Sequence, residues 1–385
     1  MSNQNAQIYN KKDENIKQKN TVLIFLRLFF TKRQGYTLSL RKFFTMASNI
    51  ILDVERLGGT WQTLDPFLFS VHHLDYYPEG NESLGPKEGV SGRNIGQDFA
   101  NKDGWNMYHG RRVPGFPYHP HRGFETVTVV EQGFADHSDS LGSTGRFGQG
   151  DVQWMTAGKG VQHAEMFPLL NPNGPNTLEL FQIWLNLPAD KKWVEPEYKM
   201  LWNEKIPVVE EKDSKGLLSK TKIISGKYKS YSSLNSPLNS WASDPENELA
   251  IWLVKIEAGG SYILPKSIRK RLNRSLYLFQ GKGASFDGTN ISNYNRVVVK
   301  SDSDMEIIAG NSEVSILVLQ AKPIGEPVVK YGPFVMNTEQ EIQDAYNSYR
   351  KTQFGGWPWP ESEFVHPRET QRFAKFADGK TEFPV

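Results

Sequence analysis

The sequence predicts an all-β protein built from two antiparallel barrels or sandwiches that follow each other along the chain. From residue 50 onward, short runs rich in β-branched and aromatic residues are separated by Gly, Pro and Asn turn signals, a pattern typical of sandwiches and barrels. These runs form two groups, at about 61–200 and 248–325, and each contains an apolar strand ending in glycine, at Gly133 and Gly281. Two copies of one unit would explain this internal echo.

Individual elements follow from local patterns. Apolar runs bounded by turn residues predict strands, the clearest being TVTVVEQG (126–133), LELFQIWLNLP (178–188), ELAIWLVKIEAGG (248–260), SLYLFQGKG (275–283) and SEVSILVLQA (312–321). NTEQEIQDAYNSYRK (337–351) predicts a helix, because Asn337 or Thr338 can cap its start, acids occupy the first turn and Arg350 and Lys351 the last. We expect this helix to pack outside the second barrel.

The predicted organisation has five segments. They are an N-terminal extension (1–45), a first barrel (50–205), a linker or surface excursion (206–247), a second barrel with the helix (248–355) and an irregular tail (356–385). The linker is predicted from the Ser, Lys and Asn content of its sequence, which also contains Pro237 and Pro245.

The N-terminal extension differs from the rest of the chain in charge. Residues 1–45 carry nine Lys/Arg and two acids, whereas the remainder carries 36 Lys/Arg and 41 acids. The run TVLIFLRLFF (21–30) is too short for a membrane span, and the basic, hydroxylated stretch after it is similar to an organellar transit peptide. Targeting to a mitochondrion or plastid is one interpretation. The other is a non-functional extension before Met46, with the protein in the cytoplasm or nucleus.

Composition narrows the chemistry. The chain contains no cysteine, which excludes disulfides, thiolate metal sites and cysteine nucleophiles. Any metal must therefore bind His and carboxylate side chains, which favours catalytic zinc or non-haem iron over structural zinc. The mildly acidic body after residue 45 gives no basic face, so we expect no direct contact with nucleic acid.

Two short motifs suggest a metal site. YHPHRGFETV places His119 and His121 two residues apart, and GKGVQHAEMF does the same for His163 and Glu165. Residues i and i+2 of a strand project from one face, so two antiparallel strands could present three imidazoles and one carboxylate to a common point. Such a ligand set suits non-haem Fe(II) and leaves coordination positions free. The stretch 248–325 has no histidine, so the site belongs to the first barrel.

At these residues the sequence resembles the pirin family. PHRGFETVT (120–128) and GDVQWMTAGKGVQHAEM (150–166) are similar to the family's N-terminal barrel, and YGPFVMNTEQEI (331–342) to the segment that closes its C-terminal barrel. The resemblance covers about residues 50–355. It implies a bicupin, with two jelly-roll-like antiparallel β-barrels, a C-terminal helix, and one Fe(II) per chain in the N-terminal barrel.

The resemblance also implies roles for particular residues. His119, His121, His163 and Glu165 would bind the metal, and Glu165 would also act as a base towards a substrate hydroxyl. Glu125 remains an alternative ligand or a group that orients a ligating histidine. The lead-in at 70–117 and the tail after residue 355 are longer than in shorter pirins, and we expect them to line or cover the mouth of the first barrel.

Three functions are compatible with this resemblance. The first is a quercetin 2,3-dioxygenase-like enzyme that uses dioxygen to cleave a flavonol or a related enediol or polyphenol. The alternative is an iron-dependent redox-sensing transcriptional co-regulator that binds transcription factors without turnover. A metal-stabilised scaffold without turnover is a third. The dioxygenase is favoured because open coordination positions on the metal provide a chemical mechanism. We also expect the protein to be a monomer without a membrane span.

The remaining histidines and one basic cluster have weaker assignments. His137 lies in a turn-like stretch and is predicted at the surface or beside the site. His72 and His73 are adjacent, so on a strand at most one of them can approach the metal. His109 is expected to be exposed. The cluster KSIRKRLNR (266–274) favours a solvated loop, with an anion-binding or protein-binding patch as the alternative.

Overall fold

A computed structural model of this chain describes residues 50–384, and the predicted N-terminal extension lies outside these residues. The first strands in chain order are β1 (Ile51–Arg56), β2 (Phe67–Tyr77), β3 (Gly115–His121), β4 (Phe124–Gln132), β5 (Phe134–Asp139), β6 (Thr144–Gly148), β7 (Val152–Thr156), β8 (Val161–Met166), β9 (Asn176–Asn186) and β10 (Glu197–Leu201).

The later strands are β11 (Val208–Lys212), β12 (Leu218–Ser225), β13 (Lys227–Tyr228), β14 (Tyr231–Ser232), β15 (Ala250–Ile256), β16 (Ser261–Leu264), β17 (Asn273–Gln280), β18 (Ala284–Phe286), β19 (Thr289–Ile291), β20 (Asn295–Val299), β21 (Met305–Ala309), β22 (Val314–Ala321), β23 (Val329–Tyr331), β24 (Phe334–Met336), β25 (Phe373–Lys375) and β26 (Thr381–Glu382). The α-helix α1 is Glu339–Thr352, and short 3-10 helices are Lys102–Gly104, Ala189–Lys191, Asn203–Lys205, Trp241–Ser243, Pro245–Asn247 and Gln353–Gly355.

These strands form two domains, each made of two facing antiparallel sheets. The first barrel pairs a five-stranded sheet, β10-β7-β4-β9-β2, with a six-stranded sheet, β26-β25-β6-β5-β8-β3. The second barrel pairs a seven-stranded sheet, β1-β20-β17-β22-β15-β12-β11, with a four-stranded sheet, β16-β21-β18-β19. The sheets are not closed on themselves, and the arrangement is that of jelly rolls. The predicted all-β class with one C-terminal helix is confirmed.

The two barrels pack together through the outer faces of the five-stranded sheet of the first and the seven-stranded sheet of the second. Val127 and Ile183 of the first barrel belong to one buried cluster with Ile251 and Leu319 of the second. The opposite faces of the same strands fill the barrel interiors. This explains why these strands read as continuous apolar runs rather than alternating ones, since a strand buried on both faces has no solvent side.

The structure corrects three predicted boundaries. Strand β1, placed in the first barrel by the sequence, pairs with β20 of the second. Strands β11 and β12 occupy the predicted linker but form one end of the seven-stranded sheet. The tail is not wholly irregular, because β25 pairs with β6 of the first barrel. Strands β1 and β11 are edge strands, and β12 is mostly polar before Ile223, so their composition is close to that of a loop.

The predicted helix is confirmed, but its position is not. Thr338 caps α1 and forms a capping box with Glu341. The helix contacts the first barrel rather than the outside of the second, since Tyr349 Oη donates to Gln162 Oε1 at 2.8 Å and Arg122 Nη2 donates to Ser348 Oγ at 3.1 Å. Its position follows from β24, which lies against residue 122 through a Val335 N–H to Arg122 O hydrogen bond of 3.0 Å. Within residues 50–384, no helix is long and apolar enough to cross a membrane.

Candidate metal centre

The structure brings three predicted ligands together inside the first barrel. His119 and His121 lie on β3 and His163 on β8, and their candidate ligand nitrogens all lie within 4.8 Å of one another. The antiparallel register places His119 directly opposite His163, while His121 follows two residues later on the same face. The i, i+2 spacing and the strand register therefore bring together the three predicted histidines, but not Glu165.

The surroundings of the triad suit a metal ion. His163 is fully buried and neither of its ring nitrogens has a hydrogen-bond partner. The Nδ1 atom of His119 lies 2.9 Å from Pro117 O, and that of His121 lies 3.4 Å from Pro333 O, so each would donate its proton there and leave Nε2 free. A buried imidazole without a partner is costly unless something occupies the site. This donor set fits a divalent metal ion.

Burial also keeps these imidazoles in the form that binds metals. Desolvation lowers the pKa of His119 to about 4 and lowers the pKa values of His121 and His163 well below the ordinary range. Neighbouring imidazoles add to the effect, because each disfavours a second positive charge. All three side chains are therefore neutral at physiological pH, as metal coordination requires.

Glu165 lines the same pocket but makes different contacts. Thr128 Oγ1 donates to its Oε1 atom at 2.7 Å, and Gln182 Nε2 donates to its Oε2 atom at 3.0 Å. Both oxygens are thus held by the facing sheet, and the cluster within 4.8 Å consists of the histidines alone. Burial raises the pKa of the Glu165 carboxyl. Whether Glu165 is a fourth ligand stays a prediction.

The open side of the triad faces a mainly apolar pocket. Its polar wall residues are His73, His119, His121, Thr128, Glu165 and Gln182. The aromatic and aliphatic ones are Phe69, Val71, Phe116, Phe167, Leu180 and Trp184. Its volume is about 110 Å³, which is less than the roughly 300 Å³ at the lower end for small-molecule sites.

Comparison with known proteins identifies the family. The family models Pirin and Pirin C-terminal cupin domain match residues 54–185 and 251–355. A pirin-like protein of Solanum lycopersicum is 37% identical over 239 residues, which cover 61% of this chain and 75% of that protein. A Pseudomonas aeruginosa protein named as a putative quercetin 2,3-dioxygenase is 36% identical over 240 residues, which cover 62% and 79%. This chain belongs to the pirin family.

A solved structure supports the same assignment. The crystal structure of a quercetin 2,3-dioxygenase from Acinetobacter baumannii matches this pirin with a TM-score of 0.62 at 25% identity, covering 80% of this chain and 98% of that one. The bicupin architecture predicted from the sequence is therefore shared with a protein of known structure.

The structure corrects the prediction for Glu125 in this pirin. Glu125 lies on the outer face of β4 with Val127, whereas Thr128 faces the metal centre. Its carboxyl oxygens accept hydrogen bonds from Thr156 Oγ1 at 2.7 Å and Ser240 Oγ at 2.6 Å. Although Glu125 is only four residues after His121, the two side chains do not share a face, because β3 and β4 belong to different sheets. Glu125 neither faces nor orients the histidines.

Glu125 should make stability depend on pH. Burial raises its pKa to about 7 from an ordinary 4.5, so the folded state binds more protons than the unfolded state between these values. Stability should therefore fall as pH rises through this window, by up to about 3 kcal/mol, and Glu125→Gln should flatten the dependence. Urea unfolding at pH 5 and pH 7.5 measures the difference. Glu313→Gln, at an exposed position, should behave as wild type, and equal slopes for Glu125→Gln and wild type would refute the assignment.

Four other histidines are also placed. His72 and His73 face opposite sides of β2, as predicted: His72 Nε2 lies 3.0 Å from Glu179 Oε1, while His73 lines the pocket. His109 is exposed, as predicted. His137 lies beside the site, which is one of its two predicted positions, and not at the surface. It is fully buried on β5, its ring centroid 5.6 Å from that of His163, because the apparent turn sequence forms a strand inside the barrel.

A hydrogen-bonded chain that the sequence analysis missed leads away from the pocket. His73 Nδ1 lies 2.7 Å from the Tyr108 hydroxyl, which donates to Asp75 Oδ2 at 2.6 Å. Burial raises the pKa of Asp75 to about 6 and lowers that of His73 to about 3. The i, i+2 spacing of His73 and Asp75 could have placed them on one face, but nothing local indicated that Tyr108 would join them.

The lead-in and the tail both lie against the first barrel. The lead-in contributes Val71, His73 and Phe116 to the pocket wall. The tail holds the lead-in from outside, because Glu363 accepts backbone N–H bonds from Arg111 at 3.0 Å and Arg112 at 2.9 Å. The lead-in therefore lines the pocket as expected, whereas no residue after 355 is part of its wall within the described chain.

Proposed function

We propose that this pirin is an Fe(II)-dependent dioxygenase that acts on a flavonol or on a related enediol or polyphenol. The observation that carries the proposal is the neutral histidine triad, with His121 and His163 buried, at one side of an aromatic-walled pocket that also contains Glu165. The names of the Pseudomonas aeruginosa relative and of the Acinetobacter baumannii structure support the reaction class.

In this proposal His119, His121 and His163 hold the iron, and Glu165 is the fourth ligand. Bound Fe(II) with open positions would supply the binding and activation of dioxygen. Glu165 accepts the proton of a substrate hydroxyl, a role supported by its raised pKa and its position on the pocket wall. Thr128 and Gln182 orient its carboxylate through the bonds described above.

The pocket wall also bears on substrate size. Phe69 and Trp184 pack with a centroid distance of 4.6 Å, and the Lys330 ammonium lies 5.1 Å and 5.2 Å from their rings. Flat aromatic walls suit a planar substrate. A three-ring flavonol exceeds the 110 Å³ cavity, so it would enter only if side chains at the wall move, whereas a single-ring catechol would need less movement.

The test is turnover by protein of known metal content. The chain is loaded with Fe(II) without air and then given quercetin or a single-ring catechol in air, while dioxygen uptake and substrate absorbance are followed. We expect turnover with Fe(II) and none with Zn(II), which takes the same ligands without redox chemistry. No turnover of either substrate by protein holding one iron would rule out this proposal and favour the co-regulator function.

A further inference from the structure

A large cleft opens at the second barrel, away from the candidate metal centre. Its volume is about 920 Å³, and it is bounded by the seven-stranded sheet, the 225–249 excursion, the loop at 265–269, and Glu197 and Lys199 of β10 in the first barrel. None of the pocket residues of the candidate metal centre lines it. The basic cluster noted in the sequence forms part of its wall.

Arg274 is the distinctive side chain of this cleft. It lies on β17 in the same inward row as Leu276 and Leu278, and it is only 1% exposed. Its Nε atom donates to Gln320 Oε1 at 2.6 Å, while its Nη1 atom is buried without a hydrogen-bond partner. A guanidinium is always charged at physiological pH, so this is a buried cation with an unused donor.

No carboxylate within residues 50–384 forms an ion pair with Arg274. The nearby Glu248 accepts backbone N–H bonds from Ile268 at 3.1 Å and Arg269 at 2.8 Å, and Asp304 accepts one from Lys266 at 2.7 Å. Both acids are thus engaged with the loop. Desolvation lowers the pKa of Arg274 to about 10, as expected for a poorly compensated buried charge.

The cleft supplies further recognition groups around this cation. Trp252 faces the same barrel interior, and its Nε1 donor is also buried without a partner. Leu238 and Ile268 line the cleft with 79% and 89% of their surface exposed. Large exposed apolar side chains beside a buried, unpaired cation form a site for a molecule with one charged end and an apolar body.

We propose that this cleft binds an organic carboxylate. The carboxylate pairs with the guanidinium of Arg274, a geometry that suits a planar fork of donors, and the apolar body contacts Trp252 and Ile268. The ligand would thereby neutralise a charge that Glu248 and Asp304 compensate only in part. This site is independent of the metal centre and of the proposed dioxygenase activity.

The test is calorimetric titration of the iron-loaded full chain with benzoate and hexanoate, using benzamide and inorganic phosphate as comparison probes. We expect saturable binding of both carboxylates, none of benzamide, and binding of phosphate at least about tenfold weaker. Arg274→Met should weaken carboxylate binding by about tenfold or more. Binding should persist in His163→Ala, which separates this cleft from the metal centre.

Two further measurements separate recognition from a structural role. Arg274→Met should be at least as stable as wild type without ligand, because it removes an unpaired buried charge. Trp252→Phe keeps an aromatic ring but loses the Nε1 donor, and it should weaken carboxylate binding several-fold. This variant tests the site even if Arg274→Met does not fold. Absence of binding in wild type, equal binding of phosphate, or unchanged affinity in both variants would overturn the proposal.

Discussion

His163→Ala should abolish the metal site, lowering the affinity for Fe(II) by more than about 100-fold. His163 is the triad member with both ring nitrogens buried and unpartnered, so its replacement removes one of three clustered ligands. The measurement is iron per chain after anaerobic loading and desalting, together with dioxygen uptake. We expect about one iron in wild type and a small fraction of that in the variant, with turnover reduced in proportion.

His109→Ala is the matched control for this experiment. His109 is an exposed histidine of the lead-in outside the triad, so its loss should leave iron content unchanged. Full iron retention by His163→Ala with wild-type affinity would show that the triad is not the metal site. Loss of iron in His109→Ala alone would place the metal elsewhere.

Gly123→Ala should destabilise the protein by about 3 kcal/mol or more. Gly123 has a φ of +85°, and a Cβ there would lie 2.0 Å from Val335 O, which is backbone and cannot turn aside. The adjacent Pro333 carbonyl faces His121 Nδ1 at 3.4 Å. Displacing the 333–336 segment should therefore also weaken iron binding. Urea unfolding of apo protein and an iron titration measure the two effects.

Gly142→Ala separates backbone strain from steric conflict. Gly142 has a nearly identical φ of +87°, but no neighbouring atom lies within 4 Å of the position that a Cβ would occupy there. The substitution should cost only the roughly 1–2 kcal/mol of a left-handed alanine. If both variants lose the same stability, the close approach of Val335 contributes nothing, and the role assigned to the 333–336 segment is wrong.

The turn at Gly123, between β3 and β4, also provides a hydrogen-bond acceptor for the buried Lys192. Lys192 Nζ donates to Gly123 O and Asn186 Oδ1 at 2.7 Å each, and to Val335 O at 3.2 Å. The ammonium thus joins the two chain segments on either side of this turn, and desolvation lowers its pKa to about 8. Nothing in the sequence around Lys192 distinguished it from a surface lysine.

The sequence alone predicted those features that depend on neighbours along the chain. The alternation of His119 with His121, and of His163 with Glu165, was sufficient to place each pair on one face of a strand. The apolar runs predicted the central strands, and the capping residues predicted α1, because both signals arise within a few residues. The family resemblance then predicted the bicupin and the location of its site.

Only the tertiary structure decided what depends on pairing between distant segments. Glu125 faced away because β3 and β4 join different sheets, and His73 acquired Tyr108 and Asp75 as partners through contacts across the lead-in. Arg274 was predicted to lie in a solvated basic loop, but it is buried because it belongs to an inward-facing row of β17. Local sequence specifies which residues share a face, whereas the register and order of strands determine what that face meets.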